Sequence, residues 1–469
     1  MVGITSYGAY IPYLRLPLAA IGGGKRGEGG PEKAVANWDE DAVTMAVAAA
    51  IASLQGIDRA TVDGVLFAST SYAFKEKQAA AIIAKALDLR RDVQTADLGD
   101  SLRAGINALR TAADSIKAGS AKRVLVVIGD TRMAAPRSAL EGNLGDGGAA
   151  FLLGASDVAA DLTAVHTVTD EIIDVWRAEG DPFVHAWEDR FVVDHGYRHS
   201  VKEVVKGLLQ KSNLKVGDFA KLVLYGPDAR SHAQLVRELG FNPSNQVQDP
   251  LFGKIGNAGA AFSPLLLTAA LEDARPGDRL LVVGYGDGAE ALVLEVTPQI
   301  EKLRDRRAVR WHLARRGEMP SYDVYLRFRH LLATEHDRRA SAGISATKHF
   351  RDRDEDVSLL AQKCRKCGQV QYPHQRVCFT CFAKDDFDKI RLSDRIGHLK
   401  SFTFDNFAGS PNPPLVATVT DVEGARLYLQ MTDASPKEAK LDLPVELTFR
   451  KIHDAGGTPN YYWKCTPAR

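Results

Sequence analysis

Short apolar runs recur through residues 1–300, each separated from the next by an amphipathic stretch. Val62-Asp-Gly-Val-Leu-Phe-Ala, Arg123-Val-Leu-Val-Val-Ile-Gly and Arg279-Leu-Leu-Val-Val-Gly-Tyr are clear examples. Runs of that length predict buried strands, and strands interleaved with helical stretches predict α/β layers. The pattern changes near Glu301-Lys-Leu-Arg-Asp-Arg-Arg, where a charged stretch reads as linker and helix over 301–356. Beyond about residue 390, short alternating segments take over: His398-Leu-Lys-Ser-Phe-Thr-Phe, Leu415-Val-Ala-Thr-Val-Thr, Arg426-Leu-Tyr-Leu-Gln-Met and a closing Tyr461-Tyr-Trp-Lys. About five strands in so short a span predict a small OB-type β-barrel over 391–469.

The first region carries an internal duplication. Arg123-Val-Leu-Val-Val-Ile-Gly-Asp returns as Arg279-Leu-Leu-Val-Val-Gly-Tyr-Gly. Upstream of each stands a small-residue turn opening a helix, Gly99-Asp-Ser101 and then Gly256-Asn257-Ala. Further upstream stand the strands Leu66-Phe-Ala-Ser-Thr70 and Leu222-Val-Leu-Tyr225. A repeat of this length is no solenoid unit; it predicts two similar α/β halves packed together. Strand ends and helix N-termini of both halves then meet at one cleft, where free N–H groups suit an enolate or oxyanion.

Composition narrows the class. The chain has 469 residues, 45% of them hydrophobic and 25% charged, with a net charge of +1. That balance is ordinary for a folded protein and excludes a disordered chain. It gives no electrostatic reason to expect nucleic acid as a partner. No apolar run of about 18 residues predicts a membrane span, and the N-terminal sequence is not that of a secretory signal, so a cytoplasmic protein is expected.

The cysteines add a second chemistry. Cys364, Cys367, Cys378 and Cys381 form C-x2-C-x10-C-x2-C, within a ribbon expected over 357–390. Two such knuckles bring four thiolates into the tetrahedron of a closed structural zinc site, with no position open to substrate. Two disulfides or a redox pair are the alternatives; a cytosolic setting and the doubling of the motif count against them. Cys465 reads as an inert strand residue.

Taken in order, several segments resemble the thiolase superfamily, and within it the 3-hydroxy-3-methylglutaryl-CoA synthase branch. They are Tyr7-Gly-Ala-Tyr-Ile-Pro, Glu141-Gly-Asn-Leu-Gly-Asp146, Asp174-Val-Trp176-Arg177, Gly256-Asn257 and Gly284-Tyr285-Gly-Asp-Gly288. The similarity covers residues 1–300 and implies a layered αβαβα fold. Residues 320–469 resemble the domain known as DUF35, a helix and rubredoxin-like zinc ribbon followed by an OB fold, which accompanies thiolase-like enzymes acting on acyl-CoA.

The departures from that family decide the expected chemistry. Its synthases use a Glu, a Cys and a His; the matching positions here hold Thr70, Leu102 and Tyr225, while Asn257 survives. Leucine forms no acyl-thioester, so chemistry through a covalent cysteine intermediate is not available. A cleft that binds a CoA thioester and stabilises its enolate still suffices for an aldol or retro-aldol reaction at a β-hydroxyacyl-CoA. Related cysteine-less proteins are retro-aldolases with a catalytic Tyr, which makes Tyr225 the leading acid/base, if its surroundings lower its pKa, and Tyr285 a second candidate. Ser101 is either a plain N-cap or an unconventional nucleophile that would keep acyl transfer. A non-catalytic acyl-CoA scaffold is the remaining alternative. The resemblance further implies coenzyme A as substrate carrier and a homodimer, and a hydratase partner is a further possibility. Two weaker signals are Gly22-Gly-Gly-Lys25-Arg26-Gly, read as a flexible loop, and the pair His195 and His199, read as solvated.

Overall fold

The computed structural model describes residues 1–24, 29–332, 345–406, 414–455 and 458–469. They form two compact units: residues 1–36, 41–84 and 89–322, and residues 37–40, 85–88 and 323–469. Lys25, Arg26 and Gly27 of the glycine-rich loop lie outside the described residues.

The first unit is built on one nine-stranded sheet. Its strands are β1 (Gly3–Tyr10), β2 (Gly64–Ala68), β3 (Gln94–Leu98), β4 (Arg123–Thr131), β5 (Asp146–Gly154), β6 (Ala160–Thr169), β7 (Lys221–Leu224), β8 (Arg279–Tyr285) and β9 (Gly288–Val296). They run in the order β7-β8-β9-β6-β1-β5-β4-β2-β3. Outward from the β6–β1 seam, both halves follow one plan. β1-β5-β4 are antiparallel and β4-β2 parallel; β6-β9-β8 are antiparallel and β8-β7 parallel. The strands matched in the sequence, β4 with β8 and β2 with β7, thus hold equivalent places. At the seam only Gly3 with Asp161 and Ile4 with Ala160 pair. A Cβ on Gly3 would stand 2.0 Å from the Ala160 carbonyl oxygen, so the approach requires glycine.

Helices cover the sheet. α1 (Ala42–Ser53) starts at a capping box in which Asp41 and Thr44 satisfy each other's backbone N–H. α2 (Ala104–Lys117) follows β3, α3 (His199–Ser212) packs on β6 and β9, and α4 (Phe262–Asp273) packs against β5 and β7. Residues Phe262–Leu271 of α4 are all buried, which fits a helix apolar on every side. Among the described residues no helix is long and apolar enough to cross a membrane.

In the second unit a three-stranded ribbon, β10 (Leu360–Cys364), β11 (Val370–Gln371) and β12 (Phe387–Arg391), precedes a closed barrel. The barrel strands are β13 (Gly397–Asp405), β14 (Leu415–Val422), β15 (Ala425–Met431), β16 (Pro444–Ala455) and β17 (Thr458–Pro467), closed in the order β13-β14-β15-β17-β16. Alternate residues of β15 face inward, as the sequence pattern predicts. Trp463 of β17 is fully buried, its indole N–H donating to the Val357 carbonyl at 2.9 Å. Buried charges pair around it: Lys464 with Asp39 at 2.9 Å, and Arg450 with Asp433 at 2.7 Å and with Glu40.

Candidate active site

The strand ends and helix heads of the two halves bring all four sequence-chosen residues of the first unit together. Tyr225 follows β7, its amide donating to Val283 of β8 at 3.0 Å. Tyr285 ends β8, and the two tyrosine rings lie 5.9 Å apart. Asn257 precedes α4 and donates from Nδ2 to the Tyr225 hydroxyl at 3.0 Å and to the Gly226 carbonyl at 3.0 Å. Ser101 closes the row: a Cβ on Gly286, the residue after Tyr285, would stand 2.7 Å from Ser101 Oγ. The same point is 2.9 Å from the Leu102 amide nitrogen and 3.0 Å from that of Arg103. These two N–H groups, at the head of α2, donate to no acceptor among the described residues. Unbonded N–H groups at a helix head are of the kind that suits an oxyanion.

Hydrogen bonding gives the site a direction. Both Asn257 donors are used, and its Oδ1 accepts from the Gly259 amide at 2.9 Å. The backbone of Asn257 is clamped as well, through Asn143 at 2.7 Å and Gly145 at 2.9 Å, which joins two of the quoted motifs. Because the Tyr225 oxygen accepts from Asn257, its own proton points elsewhere. No hydrogen-bond acceptor takes that proton among the described residues.

Electrostatics correct one expectation. Burial pushes the Tyr225 hydroxyl up to about 12, against the opposing pull of Arg132 and the Asn257 hydrogen bond. The hydroxyl is therefore not activated toward ionisation; at neutral pH it is a proton donor. Burial, followed by the Asp174 carboxylate, also raises Tyr285, whose hydroxyl is buried without a well-formed hydrogen bond. Asp174 is itself raised, by burial first.

Ser101 caps nothing. The residue preceding α2 is Arg103, without a side-chain cap, and the Ser101 hydroxyl is buried with no hydrogen-bond partner. No base reaches it, so the expected cap is absent and so is the machinery that would make it a nucleophile. Leu102 stands beside it, partly buried against the core. Thr70 hands its hydroxyl to Asp130 at 2.7 Å. Asp130 also accepts from Ser71 and from the Ala260 amide at 2.9 Å, tying the end of β2 to the approach to α4.

Sequence reasoning missed Asp130, Arg132 and Asp174 as neighbours of the site. The available signal was position: Asp130 and Arg132 sit at and just beyond the end of β4, where strands of an open α/β sheet deliver residues to a cleft. His199 lies on the surface 3.6 Å from Glu203, and the His195 ring packs on Phe191 at 4.6 Å. Among the described residues, the group of His, Cys, Asp or Glu side chains close enough to share a metal is the four cysteines.

Those cysteines fit zinc. All four Sγ atoms lie within 4.8 Å of one another, with Cys364 to Cys381 at 3.6 Å and Cys367 to Cys378 at 3.7 Å. Zn–S bonds of about 2.3 Å in a tetrahedron put sulfurs about 3.8 Å apart. Cys465 is buried in β17, where burial raises its thiol pKa.

The duplicated halves and the strand-end site define a thiolase-like α/β fold, to which a zinc ribbon and a closed barrel are joined. Residues 96–171 match the family 3-oxoacyl-(acyl-carrier-protein) synthase III, residues 209–296 its C-terminal part, and residues 356–387 the ChsH2 rubredoxin-like zinc ribbon domain. Hydroxymethylglutaryl-CoA synthase of Methanocaldococcus jannaschii is 33% identical over 341 residues, covering 70% of this chain and 99% of that protein. The enzyme of the same name from Archaeoglobus fulgidus is also 33% identical, over 70% of this chain and 98% of that protein. A solved structure of MvaS in complex with 3-hydroxy-3-methylglutaryl coenzyme A superposes with a TM-score of 0.63 at 20% identity, over 73% of this chain and 94% of that one. The chain belongs to the hydroxymethylglutaryl-CoA synthase family.

Proposed function

We propose that the protein is an acyl-CoA-dependent carbon–carbon lyase of the aldolase type, cleaving or forming a β-hydroxyacyl-CoA with no covalent acyl-enzyme. The observation that carries this reading is the Tyr225–Asn257 pair, 3.0 Å apart, in a site where leucine replaces the nucleophile. In the forming direction the enolate of one thioester attacks a carbonyl, and the Tyr225 hydroxyl gives its proton to the new β-oxygen. In the cleaving direction ionised Tyr225 takes that proton, the Cα–Cβ bond breaks toward the thioester, and the N–H groups of Leu102 and Arg103 receive the enolate oxygen. Tyr285 and Asp174 line the same site. Kinship with acyl-CoA enzymes supports coenzyme A as the carrier.

The reading extends to a homodimer, to a hydratase that supplies β-hydroxyacyl thioesters by adding water to an enoyl precursor, and to a cytoplasmic setting. The test is release of an aldehyde or ketone from a panel of β-hydroxyacyl-CoA esters, with Tyr225→Phe alongside. Release by the wild type and its collapse in the variant support the reading; no release from any ester that binds overturns it.

Acyl transfer is the second reading, favoured by the 33% identity to synthases. It requires an acyl adduct on Ser101 or another hydroxyl, which intact-mass measurement after incubation with acetyl-CoA would reveal.

A further inference from the structure

Arg132 follows β4 directly and is only 7% exposed. A buried guanidinium ordinarily has a carboxylate or several carbonyls around it, because stripping its water without compensation is costly. Here it has neither: among the described residues no hydrogen bond reaches it and no carboxylate lies within 4.0 Å of it. None of its nitrogens is sealed away as a buried, unpaired atom, so the charged head reaches open space while its stem is covered. The Asp130 carboxylate, two residues earlier, approaches the same Gly259 position as the Arg132 stem, but its oxygens take their hydrogen bonds from Thr70, Ser71 and the Ala260 amide and none from the guanidinium.

The position of Arg132 ties it to the reacting groups. A Cβ on Gly259 would stand 2.6 Å from Arg132 Cδ. The amide of that same Gly259 donates to Asn257, which in turn holds the Tyr225 hydroxyl. Arg132 also acts on Tyr225 through its charge. An anion received here would therefore lie on the side of the site that holds Tyr225 and Asn257.

We infer that Arg132 receives a carboxylate carried on the β-carbon of the substrate, so that the carbonyl product of cleavage is a 2-oxo acid. This rests on the aldolase reading and names its substrate class. The β-hydroxyl loses its proton to Tyr225, the β-oxygen becomes the ketone of the 2-oxo acid, and the Cα–Cβ pair passes to the thioester enolate, which takes a proton at Cα. Atoms and electrons balance with no further reactant. The guanidinium holds the carboxylate throughout, a pairing that lysine reproduces only in charge.

Two matched esters test this: 3-carboxy-3-hydroxybutanoyl-CoA, which yields pyruvate, and 3-hydroxy-3-methylbutanoyl-CoA, which yields acetone. The wild type is expected to favour the carboxylated ester by roughly 100-fold or more in kcat/KM, since a site built around a charged partner rejects the analogue lacking it. Arg132→Gln should collapse that ratio toward one, chiefly through KM, and Arg132→Lys should restore part of it. Equal use of the two esters by the wild type, or preference for the methyl compound, overturns the inference while leaving the aldolase reading intact. Turnover of neither ester counts against the aldolase reading, and the inference is then read from equilibrium binding. Weakened binding of the carboxylated ester alone in Arg132→Gln supports it, and unchanged binding overturns it. Binding of the methyl ester by each variant reports that the fold is retained.

Discussion

Raising the pH tests whether cleavage runs through the ionised form of Tyr225. Its hydroxyl is raised from 10.0 to about 12 by burial, and two units correspond to about 2.7 kcal/mol against ionisation. Roughly one molecule in 10⁵ then holds the tyrosinate at pH 7, and roughly one in 10³ at pH 9. Cleavage that depends on this form should quicken about tenfold per pH unit from 7 to 9 without levelling off, and condensation should rise in parallel, because the overall reaction neither takes up nor releases a proton and its equilibrium constant is independent of pH. The assay is kcat/KM against pH, following the released carbonyl compound through a coupled dehydrogenase. Tyr225→Phe should lower cleavage by about 10²- to 10⁴-fold and remove the slope. A linked effect has a definite sign. Because the folded pKa lies above the unfolded one, the stability contributed by the neutral hydroxyl is complete below pH 10 and is lost as pH climbs through about 12. A wild-type profile that levels off below pH 9, and keeps that shape in Tyr225→Phe, would refute the reasoning.

The other predictions concern neighbouring groups and the second unit. Leu102→Cys places a thiol at the head of α2, where the helix dipole favours the thiolate, and should acquire an acyl mass from acetyl-CoA that the wild type lacks. Ser101→Ala should change cleavage less than about threefold, since no base addresses its hydroxyl; a loss comparable with Tyr225→Phe would make Ser101 a reacting group. Denaturing the protein with a zinc-sensitive dye present should release about one metal per chain, and Cys378→Ser should lower both that yield and the Tm of the second unit. Arg450→Met leaves Glu40 and Asp433 buried without their cation and should cost about 3–5 kcal/mol, measured by urea unfolding followed at Trp463. Adding Glu40→Gln and Asp433→Asn should recover most of that loss, and failure to recover it would mean that packing rather than charge dominates.

How much of this was legible in the sequence depended on how local each feature is. Arg123–Thr131 and Arg279–Tyr285 could be read because a strand covered on both faces is apolar almost throughout, and that is a property of consecutive residues. The ribbon was legible for the same reason, its ligand spacing being written in one short stretch. Tyr225, Asn257, Tyr285 and Ser101 were placed by their order in a duplicated chain, and the structure gathers them. Their chemical states were not legible. The rise in the Tyr225 pKa comes from burial by Tyr197, Phe262 and Tyr285, which are remote in sequence. Ser101 looked like a cap because serine before a helix usually is one, yet α2 begins three residues later, at Ala104. Arg132 offered only its position beyond β4, since an unpaired guanidinium can be recognised only once every carboxylate has been placed around it.

The narrow seam between β6 and β1 bears on how the two halves can be inherited and handled. β1 belongs at once to the first half through β5 and to the second through the pairing of Gly3 and Ile4. Separated at the chain between β5 and β6, each fragment would bare a strand edge with unmet backbone groups, an invitation to pair with another copy. Protection of the amide protons along β1 and β6 from exchange should accordingly be lost in one cooperative event. A single methyl group at Gly3 would strike the Ala160 carbonyl and part the halves along that line.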